Sequence, residues 1–105
     1  DLAVNSSNQF PKTFKISPAY PNPFNPIINI HYENPQISIV KVDVYDLRGR
    51  WIKNIVNTVH SPGIYELKWD AGSHSSGIYL LRYQILAGET KAQIGVKAEK
   101  IVLLK

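Results

Sequence analysis

Apolar and polar residues alternate with a period of two through most of this chain. Ile28, Ile30 and Tyr32 fall on one side and Asn29, His31 and Glu33 on the other, the signature of a half-buried strand whose successive side chains point to opposite faces. Val40, Val42 and Val44 oppose Lys41, Asp43 and Tyr45 in the same way, while Ile37 and Ile39 have the wrong parity, which predicts a bulge or bend near Ile39. Tyr65, Leu67 and Trp69 form another such row, and so do Tyr79, Leu81, Tyr83 and Ile85. Thr90 to Val96 and Lys100 to Leu104 supply the last one or two strands, and the unbroken run Ile101-Val102-Leu103-Leu104 predicts burial on both faces. Turn chemistry separates the rows: Asn34-Pro35, Asp46-Leu47-Arg48-Gly49, His60-Ser61-Pro62-Gly63, Ala71 to Gly77 and Ala87-Gly88-Glu89. Gly49, Gly63 and Gly77 read as turn glycines. No segment repeats with helical period, and about seven to eight short strands predict an all-β antiparallel sandwich.

Ahead of the first row, residues 1–12 are polar and aperiodic and read as a linker from an upstream domain, so the folded domain is expected over 13–105. Pro18, Pro21, Pro23 and Pro26 then impose a kinked, extended path, because proline donates no hydrogen bond and holds the preceding residue extended. A chain of 105 residues with 44% hydrophobic content closes one core and leaves little material for a substrate cleft. The absence of cysteine excludes disulfides, thiolate metal sites and thiol nucleophiles. Twelve basic residues are dispersed among eight acidic ones, for a net charge of +4, which argues for solubility and against nucleic-acid binding. No apolar run reaches the roughly 20 residues of a membrane-spanning helix, and the lack of any methionine predicts that the chain begins inside a longer precursor or at a processed or engineered boundary.

The segment Tyr20-Pro21-Asn22-Pro23-Phe24-Asn25-Pro26 resembles the first motif of the C-terminal sorting domains of type IX secretion substrates. Val42 to Arg50, Pro62-Gly63-Ile64-Tyr65, Trp69-Asp70, Ser76-Gly77-Ile78-Tyr79, Ala87-Gly88 and Lys100-Ile101-Val102-Leu103-Leu104-Lys105 resemble the later motifs in order, from about Phe14 to the last residue. The resemblance implies an immunoglobulin-like fold, similar to that of flagellar hook-capping proteins. It also implies a non-catalytic domain of a secreted or surface-bound bacterial protein that passes through the periplasm. Its partners would be secretion and surface-anchoring proteins, with Lys100 to Lys105 as the strand they read, by strand addition. Two features depart from the family pattern: the stretch between Gly88 and Lys100 is long enough for an extra strand or long hairpin, and Trp51 stands where a polar residue is expected.

Chemistry-bearing residues give little sign of a reaction centre. Asp70, Ser73, His74, Ser75 and Ser76 share one loop, and neighbours in a loop rarely converge as a triad must. His31, His60 and His74 have no partner at metal-ligand spacing, so neither metal nor cofactor is expected. Asn5-Ser6-Ser7 matches a glycosylation pattern that a bacterial protein leaves idle. Parity assigns most aromatics to the core and leaves Trp51, with Tyr45, as an exposed platform. That platform carries the alternative reading: an accessory spacer, docking or carbohydrate-binding module of an extracellular glycoside hydrolase, with polysaccharide as ligand. An open edge beside the final strand would permit an edge-strand dimer.

Overall fold

The computed structural model describes residues 13–105; the linker expected over 1–12 and the Asn5-Ser6-Ser7 pattern lie outside them. Seven strands follow in chain order: β1 (Lys15–Ile16), β2 (Ile27–Asn34), β3 (Ser38–Asp46), β4 (Trp51–His60), β5 (Gly63–Asp70), β6 (Gly77–Ala87) and β7 (Gln93–Leu103). They form two antiparallel sheets, one ordered β1-β2-β5 and the other β4-β3-β6-β7. The sheets pack face to face as an immunoglobulin-like sandwich, as the alternation predicts.

The inward rows are those that the sequence marks. Ile28, Ile30, Tyr32 and Trp69 from one sheet meet Val40, Val42, Val44, Leu81, Tyr83, Ile85, Ile101 and Leu103 from the other. Phe24, from the proline-rich segment, closes one end of this core with its ring 5.8 Å from that of Trp69. Removing so much apolar surface from water is the main favourable term in folding. The β3–β4 turn is organised by Asp46, whose Oδ1 accepts the Arg48 and Arg50 N–H groups at 2.9 Å each while Arg50 Nε donates to Oδ2 at 2.7 Å. Gly49 supplies the positive φ of 83° that this turn needs.

Two expectations are corrected. There is no bulge near Ile39: β3 runs regularly with Ser38, Val40 and Val42 inward, and Ile39 lies outward beside Val59 and Leu86. The irregularities fall instead on β4, where Ile55 and Ile52 are the extra residues opposite Val42/Asp43 and Val44/Tyr45. Both extra isoleucines pack against the core, so the bulges recover apolar contact that a strict alternation would turn to solvent. The C-terminal run is not buried on both faces: Ile101 and Leu103 are inward, Val102 is half-buried and Leu104 is exposed, because β7 is an outer strand with a solvated face. The long stretch after Gly88 takes the second of its two expected forms, a long hairpin: it extends β6 and β7 to eleven residues each and adds no strand.

Candidate functional site

Pro21 and Pro23 have no N–H to offer, so this stretch pairs with a strand edge only through what lies between and after them. Asn22 provides a substitute from its side chain, since a carboxamide carries the same donor and acceptor as a peptide group. Its Nδ2 donates to the Lys100 carbonyl at 3.1 Å and its Oδ1 accepts the Val102 N–H at 3.0 Å. Phe24 continues the ladder with ordinary backbone bonds, its N–H donating to the Val102 carbonyl at 2.8 Å and its carbonyl accepting the Leu104 N–H at 3.0 Å. The Tyr20-Pro21, Asn22-Pro23 and Asn25-Pro26 peptide bonds are cis. Earlier in the same segment, Ser17 and Tyr20 bond along the free side of β2. The segment therefore stitches the two sheets together, and its far end clamps the outward edge of the C-terminal strand.

Strand addition at Lys100 to Lys105 would have to displace bonds that the chain already makes. The outward groups of Lys100, Val102 and Leu104 are already bonded within the chain. Lys105 is tied down as well: its N–H donates to Ser76 Oγ at 2.9 Å, and its Nζ donates to the Gly72 and His74 carbonyls at 2.7 and 3.1 Å. What the strand presents to solvent is its outward side chains, Lys100, part of Val102, and Leu104.

Trp51 and Tyr45 are cross-strand partners on the outer face of the four-stranded sheet. Trp51 is 59% exposed, yet its indole Nε1 donates to Asp43 Oδ1 at 3.1 Å, and Asn54 Nδ2 donates to the same oxygen at 2.9 Å. Asp43, 2% exposed, also has Lys41 Nζ 3.9 Å from its Oδ2. The ring is thus tethered at its Nε1 by a buried acceptor.

The catalytic ingredients of the 70–76 loop do not converge. Asp70 Oδ1 accepts the Gly72 N–H, and His74 packs its ring against Trp69 and Tyr79. His60 stacks 3.9 Å from Tyr65, where burial holds its imidazole below its usual pKa, and His31 faces Glu66 at 3.4 Å. Gly63 and Gly77 open β5 and β6. Sequence reasoning missed the Asn22 bridge, the Asp43–Asn54 support of Trp51 and the Lys105 anchor. Of these only the first has a local signal, an amide side chain confined between two prolines.

The family model described as "Secretion system C-terminal sorting domain" matches residues 18–97, which include the clamp segment and stop short of Lys100. No curated protein matches the chain. Among solved structures, the crystal structure of dimeric latent PorU from Porphyromonas gingivalis shares the fold, with a TM-score of 0.68 at 20% identity over 88% of this chain. The chain spans 9% of that protein's length.

Proposed function

This chain belongs to the family of secretion system C-terminal sorting domains, and from that premise we propose that it directs a larger bacterial protein across the outer membrane and onto the cell surface. The element read by the export and anchoring proteins is the clamped C-terminal strand, Lys100 to Lys105. One observation supports this most: residues 22–24 hold that strand in a fixed register, bonded through Lys100, Val102 and Leu104. A preformed epitope loses less conformational entropy on recognition than a disordered tail. Because the clamp occupies the outward backbone groups, the reader takes hold of the Lys100, Val102 and Leu104 side chains, or else displaces the clamp. Residues 13–105 form the sorting unit, and residues 1–12 join it to the exported domain.

The test is export of a reporter fused ahead of the 105-residue chain in a host with type IX machinery. Export should be lost when Lys100 to Lys105 are deleted; unchanged export and attachment of the deleted form would refute the assignment.

A further inference from the structure

The outer face of the β4-β3-β6-β7 sheet carries a composition that packing does not require. One cross-strand row reads Trp51, Tyr45, Leu80 and Lys100, and the next reads Asn54, Asp43, Arg82 and Ala98. Tyr45, Leu80, Arg82, Ala98 and Gly49 line a shallow depression of about 350 Å³ beside the tryptophan. Three cations, Lys41, Arg82 and Lys100, share this face with one carboxylate, Asp43, which is buried and already has Lys41 beside it. Among the described residues, neither Arg82 nor Lys100 forms a salt bridge.

The geometry points to this face as a binding site for an acidic polysaccharide, with sugar rings stacked on Trp51 and Tyr45 and their carboxylates held by Arg82 and Lys100. The indole is already positioned by its bond to Asp43, so stacking on a ligand costs little further ordering. The planar guanidinium of Arg82 presents a fork that matches a carboxylate. A protein partner fits the site less well. Across four strands the row is about 14 Å wide, and on β3 and β4 the apolar strip is one row deep, since Asn54 and Asp43, then Asn57 and Lys41, follow it. A stable protein interface instead needs about 800 Å² per side with a contiguous apolar centre. A chain of sugar rings, each with an apolar C–H face and a carboxylate, needs only a narrow aromatic strip with cations at its end. The site shares Lys100 with the strand proposed for export, but its binding test uses the isolated chain and does not depend on the sorting role.

The two tryptophans provide the assay. Trp51 is 59% exposed and Trp69 is 2% exposed, so acrylamide quenches the first selectively. Polygalacturonate should protect the emission of the 105-residue chain from quenching and retard its migration in native gels. Dextran, a neutral glucan, should do neither, and the protection should weaken as salt rises. Trp51→Ala should weaken retardation at least tenfold. Because that change also strips Asp43 of a partner, the decisive variant is the Arg82→Gln/Lys100→Gln double, which leaves the Trp51–Asp43 bond intact and should weaken binding about tenfold with unchanged circular dichroism. The site is refuted by an absence of protection, by equal protection from poly-L-glutamate, or by a double variant that binds as the parent does.

Discussion

Replacing Asn22 by Ala removes the only side chain among the described residues that bonds both Lys100 and Val102. Both freed groups lie at the surface and pass to water, so the expected loss is about 1 to 2 kcal/mol, two ordinary net hydrogen bonds, read as a lower urea midpoint at unchanged slope. His60 makes a prediction of opposite kind. Its Nε2 is buried without a partner among the described residues, and burial holds its pKa below the usual value of 6.5. The folded state resists protonation that the unfolded chain accepts. The favourable neutral state is therefore fully present above about pH 6.5, and stability declines as pH falls from there through the folded pKa. His60→Phe keeps the stacking on Tyr65 and removes the titrating nitrogen, so thermal melts of the variant should lose that acid-side decline without losing stability at pH 8. At this scale the sequence was informative about faces but silent about partners. Parity leaves Trp51 outward, whereas its bond to Asp43 depends on where the β4 bulges fall, and Ile52-Lys53-Asn54-Ile55-Val56 has no alternation from which to locate them.

Among the elements, β2, β5 and β6 were legible because each has one buried face and one wet face, and period two then fixes the register. The final strand was less so: four consecutive apolar residues carry no parity, and only the sheet order shows that Val102 and Leu104 face outward. The clamp was illegible for a different reason, since it joins residues about eighty positions apart through a segment whose prolines erase any strand pattern. Its strength is testable at Phe24, which is buried against Trp69 and bonded to both Val102 and Leu104. Phe24→Ala leaves the backbone bonds chemically possible but empties the end of the core, a change that typically costs about 3 to 5 kcal/mol. Hydrogen exchange should speed up at the Val102 and Leu104 amides before it does at the β3 and β6 amides of the sheet centre. Equal acceleration at all of these sites would mean that the clamp has no stability of its own and opens only with the whole domain.

At the scale of the whole molecule, the sandwich must manage the outer edge of β7, which the clamp covers only from Lys100 onward. Upstream of that point Ile94, Val96 and Ala98 are exposed, on a long strand with no neighbour beyond it among the described residues. Such an edge invites pairing with another chain. The two inward positions next to it are charged: Lys97 Nζ donates to the Ile16 carbonyl at 3.4 Å, and the Glu99 carboxylate accepts the Ala19 N–H at 3.2 and 3.1 Å. These contacts bridge the gap between the sheets and place a lysine and a glutamate where an incoming strand would otherwise find an apolar border. Replacing both charges with valine keeps the β propensity of the strand but removes the bridge and the desolvation penalty for a second strand. The Lys97→Val/Glu99→Val chain should therefore show a weight-average mass in sedimentation that is larger than the parent's and rises more steeply with concentration, while neither single replacement with Gln does so. If the double variant sediments as the parent does, the edge is protected by its twist and length alone, and the inward charges serve only to tie β7 to the first strand.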